Sequence, residues 1–127
     1  MKVPITEVMQ AATVISKTDQ TAVGSIISTG GYEYITFFMT YVKGDETGLI
    51  VTPSVMRTST GTAHPYMEWS TAAGVKTRTA STFTLTASAN AYITLDVRGI
   101  SYIMLTQGGS ANDGTPTGTL AVSYTLK

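Results

Sequence analysis

Few residues in this chain could carry chemistry. It holds one histidine and no cysteine, so a thiolate nucleophile, a disulfide frame and a thiolate metal site are all excluded. His64 is followed at once by Pro65. A lone histidine makes a zinc site only with cysteine or well-placed carboxylate partners. As a general base it would need a Gly-flanked serine elbow or a nearby acid, and neither pattern is present. An exposed loop histidine is the expectation. The acids are Glu7, Asp19, Glu33, Asp45, Glu46, Glu68, Asp96 and Asp113. A glycosidase would set two of them across a sugar bond, but acids scattered along strands are normally surface groups. Asp45-Glu46 and Asn112-Asp113 fall in loops and could touch calcium, yet neither has the alternating oxygen ligands of a calcium loop. Turn chemistry accounts for both. No catalytic residue, no metal and no cofactor is expected.

Two short patterns point to binding. Lys43-Gly44-Asp45 matches an adhesion tripeptide read by cell-surface receptors, although a hairpin turn between Val42 and Leu49 calls for the same residues. Tyr66, Trp69 and Tyr92 raise a carbohydrate reading, because flat aromatic faces stack on sugar rings. Tyr66 and Trp69 are its candidate glycan contacts. Against it, Trp69 between Glu68 and Ser70 is expected to pack into the core or an interface. The longest loop, Gln107–Gly118, is rich in glycine but has no lysine and no following helix to complete a phosphate cradle.

Composition narrows the partners. The chain has 127 residues, the size of one domain with a real core. Apolar residues make up 43% and charged residues 13%, with Lys plus Arg and Asp plus Glu equal at 8 each. Zero net charge argues against nucleic acid, which requires a basic face, and against an anionic membrane surface. No apolar run reaches the ~18–20 residues that span a bilayer. The start, Met1-Lys2-Val3-Pro4, lacks the apolar stretch of a signal peptide, which places the protein in the cytoplasm as an expectation. A neutral, charge-poor surface resists aggregation badly in free solution, so burial within a homo-oligomer is expected.

The elements that position these residues read as strands. The chain holds 24 threonines, and β-branched residues fit a pleated sheet. Thr82–Thr86, Tyr92–Val97 and Thr119–Leu126 alternate apolar and polar residues, as an antiparallel strand with one wet face does. Phe83, Leu85, Ile93, Leu95, Val97, Leu120 and Val122 form the expected core. Tyr32–Val42 and Ile100–Leu105 are apolar on both faces. Their outer residues, Tyr34, Phe38 and Val42 with Ile100, Tyr102 and Met104, are candidates for an oligomer or capsid interface. The other reading is that loops or an N-terminal arm of the same chain cover them. Further strands are expected at Gln10–Ser16, Ala22–Ser28, Gly48–Val55, Tyr66–Thr71 and Val75–Arg78, separated by turn signals. Ile5, Val8, Met9 and Ala12 are spaced for one helical turn. The fold class is therefore all-β, an antiparallel, jelly-roll-like β-sandwich. It forms one domain, with residues 1–19 as N-terminal arm and first strand and 20–127 as the sandwich.

The block Tyr41-Val42-Lys43-Gly44-Asp45-Glu46-Thr47-Gly48-Leu49 follows the aromatic strand Tyr32–Phe37, and Gly114-Thr115-Pro116-Thr117-Gly118-Thr119-Leu120 leads into the last strand. This arrangement resembles the small β-sandwich virion structural proteins of tailed bacteriophages and prophages, over Tyr32 to Lys127. The resemblance implies a sandwich that forms a homo-oligomer, a trimer being favoured, and attaches to a phage capsid or tail protein. It implies a place in the virion, assembled in the bacterial host cytoplasm, with capsid decoration as the role. It carries over no catalytic residues. The alternative is a carbohydrate-binding or receptor-binding module of a phage tail or fibre.

Overall fold

The structure, a computed structural model, describes residues 3–17, 20–110 and 115–127. Among these there is no helix. Eleven strands run β1 (Ile5–Val14), β2 (Thr21–Ser28), β3 (Tyr34–Val42), β4 (Leu49–Met56), β5 (His64–Pro65), β6 (Met67–Ala72), β7 (Val75–Ala80), β8 (Phe83–Leu85), β9 (Ala89–Asp96), β10 (Tyr102–Gly109) and β11 (Thr119–Leu126). One sheet has the order β1-β11-β3-β9; the second has the order β2-β10-β4-β5, with β8 also on β4; β6 and β7 pair only with each other. Every pairing is antiparallel. The long strands alternate between the two sheets along the chain, which is the jelly-roll-like connectivity expected.

One core lies between the sheets. β3 turns Ile35, Phe37, Met39 and Tyr41 inward, and β10 and β4 answer from the facing sheet with Ile103, Leu105, Leu49 and Val51. Period-two alternation does this directly, since successive side chains leave a strand on opposite faces. Leu95, Val97, Leu120 and Val122 are buried as expected. Phe83, Leu85 and Ile93 are half-buried and pack against the core from its margin. The reason for the first two is that β8 is a three-residue strand at the edge of its sheet.

The N-terminal segment departs from the expected helical turn. Ile5–Val14 is a strand that pairs with β11 from Ile5↔Leu126 to Val14↔Thr119. The β-branched Thr6, Val8, Thr13 and Val14 disfavour a helix, and β11 offers a free row of backbone groups. The pairing absorbs irregularities between Val8, Gln10 and Thr13. β2 bulges opposite Met104, between Val23 and Ile27. Gly24 in that bulge has φ +58°, and a Cβ there would strike the Met9 carbonyl oxygen, so glycine is required on both counts. Gln107, buried in β10, holds the β1–β2 connection: its Oε1 accepts from the Ser16 amide (3.2 Å) and its Nε2 donates to Thr21 Oγ1 (2.9 Å).

Candidate functional site

The first sheet leaves an apolar band facing outward. Across its four strands the register aligns Val8, Ser123, Phe38 and Tyr92 in one row. Val8 is 75% exposed, Phe38 46% and Tyr92 70%, and the Phe38 and Tyr92 rings lie 6.3 Å apart at a tilt of 37°. The next row is Thr6, Thr125, Thr36 and Thr94. Its hydroxyls bond in pairs, Thr6 to Thr125 at 3.1 Å and Thr36 to Thr94 at 2.9 Å. Tyr34 and Val42, at the two ends of β3, are also exposed. A shallow groove of about 400 Å³ runs over this face between Val8, Phe38 and Tyr92. Of the six candidate interface residues, the three on β3 are thus exposed on one surface.

The three on the β10 side do not. Tyr102 and Met104 are half-buried on β10, level with Met56 and Ser54 of β4. Ile100 precedes the strand in a turn closed by its amide on the Val97 carbonyl (2.9 Å), and it packs against the core. Its carbonyl accepts from buried Thr29 Oγ1 at 2.7 Å. Here the chain covers much of its own apolar surface.

Glu46 is the functional-looking residue that sequence reasoning placed wrongly. It was expected among surface and turn acids, yet it is fully buried. Its carboxylate accepts from the Tyr41 hydroxyl, from the Gly44 amide (2.8 Å), from the Thr117 amide (3.2 Å) and from the Gly118 amide (2.8 Å). Burial works against its charge, but the Tyr41 hydroxyl and the amides of Gly44 and Gly118 outweigh burial and hold the carboxyl at about 2. Burial and the same contact push the Tyr41 phenol far above its ordinary range. A Cβ on Gly118 would collide with the Glu46 carboxylate. The 43–48 turn and the lead-in to β11 are therefore one locked corner, with Asp45's amide also bonded to Thr117 Oγ1 (2.9 Å). The signal in the sequence was joint: an acid and a tyrosine five apart, with glycines in both turn segments. All acceptor capacity of Glu46 is used by the fold.

The remaining candidates scatter. His64 is exposed and pairs with Val55 on the sheet edge. Asp96 faces outward between buried Leu95 and Val97. Arg98 binds it through side chain and backbone and lowers its carboxyl to about 2. Asn112-Asp113 lies outside the described residues. Among the described residues no three His, Asp or Glu side chains gather as a metal site. Tyr66 is half-buried, with its hydroxyl donating to the Asp96 carbonyl at 2.9 Å. Trp69, expected to pack into the core or an interface, is 68% exposed and so lies outside the core. The cause is the β6–β7 ribbon, which lies in neither layer of the sandwich and so has no core beneath its tryptophan.

No family model matches the chain. No curated protein matches it. Among solved structures it is similar to the SPBc2 prophage-derived protein YomS, at 14% identity and a TM-score of 0.59, over 99% of this chain and 96% of that one. A structure of infectious bursal disease virus, Gx strain, aligns at 13% identity and a TM-score of 0.45, over 98% of this chain and 33% of that one. The protein thus shares the fold of YomS over nearly the full length of both chains.

Proposed function

We propose that the protein is a non-enzymatic structural component of a bacteriophage particle. In this reading it is a homo-oligomer, a trimer being favoured, attached to a capsid or tail protein and assembled in the bacterial host cytoplasm. Capsid decoration is the role that fits it best. The observation that carries the reading is the exposed row Val8, Phe38 and Tyr92, extended by Tyr34 and Val42, on a rigid sheet. Large apolar side chains left exposed together on one sheet face mark an interaction face, and flat sheet faces suit repeated contacts between identical copies. The fold shared with a prophage-derived protein supports the phage setting. The non-enzymatic part rests on Glu46, a buried carboxylate with every oxygen committed to holding a corner. Tuned titratable groups are the usual mark of catalysis, and this one has no capacity left for a substrate. Mass spectrometry of purified particles from the phage or prophage that encodes the chain tests the assignment. The expected result is the chain in many copies per particle; its absence from particles, while abundant in the lysate, would refute it.

A further inference from the structure

Two exposed features of this chain complement each other. The first is the β6–β7 ribbon, whose strands pair only with each other and bury no residue. A two-stranded ribbon is at best marginally stable alone in water, so a surface that covers one of its faces would stabilise it. Trp69 pairs with Arg78 and Thr71 with Lys76, and the pleat puts these four on one face. Trp69 is largely exposed there, with the Arg78 guanidinium 5.7 Å from its ring centre. Tryptophan and arginine are among the residues that most often anchor protein interfaces. Neither Lys76 nor Arg78 has a carboxylate partner among the described residues.

The second feature is the outer face of the first sheet. Beside the row Val8, Ser123, Phe38 and Tyr92 lies a row of shorter side chains, Ala121, Thr40 and Asn90, which line the groove on this face. Beyond it, exposed Val14 and Val42 align through Thr119. Large, small and large rows make a trough that crosses the strands. Its walls are four residues apart, about 13 Å, and its path over four strands covers about 14 Å between the outer strand axes. The ribbon, with six-residue strands, is about 20 Å long with its strands about 5 Å apart, so it spans the trough and fits between the walls. Charge agrees with shape. The outward side chains of β11, β3 and β9 include no cation, and the one charged group among them is the acid Asp96. Trp69 and the trough walls are exposed in the same chain, so the ribbon does not cover its own trough.

We propose that the β6–β7 ribbon of one copy lies in the trough of the next, with Trp69 seated against Phe38 and Tyr92. This rests on the homo-oligomer reading above and gives it a geometry: the contact is head-to-tail, between two different surfaces, and not of the sheet face with itself. The Phe38 and Tyr92 rings offer the Arg78 guanidinium the kind of aromatic face that Trp69 already gives it. Head-to-tail contacts generate rings where the rotation closes, and a closed ring leaves neither ribbon nor trough bare.

Trp69 is the chain's one tryptophan, so its emission reports on the ribbon. In Trp69→Ala the ribbon lacks its anchor and the trough is intact; in Phe38→Asp the trough is spoiled and the ribbon is intact. Each full-length variant alone should run as a folded monomer in light scattering coupled to size exclusion, where the parent is an oligomer. Trp69→Thr, which keeps a strand-favouring residue, serves as a second ribbon variant with the same expectation. Mixed, Trp69→Ala and Phe38→Asp should form a species of two chains, one of each, because a single intact ribbon meets a single intact trough and association stops there. The tryptophan in that mixture belongs to Phe38→Asp. Its emission should move to shorter wavelength on titration with Trp69→Ala and level off at one equivalent. If both ribbon variants keep the parent's assembly mass while Phe38→Asp is monomeric, the face pairs with itself; the head-to-tail contact is then wrong and the homo-oligomer stands. A mixture with no two-chain species and no emission shift would overturn the contact too. A parent that is itself monomeric would overturn the homo-oligomer reading and this contact together.

Discussion

The outer faces of β3 and β10 carry the same sequence signature and meet different fates. Both strands are apolar on both sides. On β10 the second apolar side is half-covered by the chain itself, with Met56 on the neighbouring strand and the Val97–Ser101 turn folded alongside. On β3 the second side lies in the middle of a four-stranded sheet whose outer surface no other part of the described chain covers, and Phe38 remains 46% exposed. An apolar second face therefore has two meanings. Beside a folded-back turn it belongs to the monomer's own packing. With nothing above it, it stays exposed and is the face that the proposed assembly would use. Substitutions on the two faces should accordingly fail in different ways, one in folding and the other in association.

The largest effect is expected at the corner that joins the two sheets, because it supports both faces equally. Glu46→Ala strips the acceptor from the Tyr41 hydroxyl and from the Gly44, Thr117 and Gly118 amides. Leaving buried donors unpaired should cost about 3–5 kcal/mol, read by urea unfolding. The same corner sets an acid limit. Glu46 titrates at about 2 in the fold against an ordinary 4.5, so the folded state binds fewer protons than the unfolded chain in that window. Its contribution is complete above the unfolded value and is lost as pH falls from about 5 towards 2. Unfolding midpoints should drop across that range in the parent, and the drop should be absent or much smaller in Glu46→Gln.

Next in size is Tyr102→Asp on the β10 side. Placing a charge in a half-buried position should lower stability by about 1–3 kcal/mol, with a reduced melting temperature even in dilute monomer. If that variant instead melts as the parent does and merely fails to associate, β10's outer face is an interface too and the contrast between the faces disappears.

Much of this was legible in the residues. The alternation in Tyr92–Val97 and Thr119–Leu126 fixed which side chains enter the core, because a strand has no other way to place them. The all-β class followed from the threonine-rich, β-branched composition. What could not be read depended on contacts distant in sequence. Nothing local distinguishes Phe38 from Tyr102: both lie on inner strands of their sheets, and only the packing around each leaves one half-buried and the other exposed. Glu46 looked like a turn acid because its partners Thr117 and Gly118 lie 71 and 72 residues away. Trp69 looked like core because a lone tryptophan usually is, and a ribbon outside both layers has no local mark. The helical spacing of Ile5, Val8, Met9 and Ala12 was overridden by the open edge of β11, which gave those residues a backbone partner.

The smallest effect on folding and the most direct test of the account fall on the same residue. Phe38→Asp should shift monomer stability by no more than about 0.5 kcal/mol, as exposed positions usually do. Light scattering coupled to size exclusion should then be run on parent and variant at micromolar concentration. The account predicts a discrete homo-oligomer for the parent and a folded monomer for Phe38→Asp. A parent that elutes as a clean monomer, or a variant that keeps the parent's full assembly mass, would contradict it.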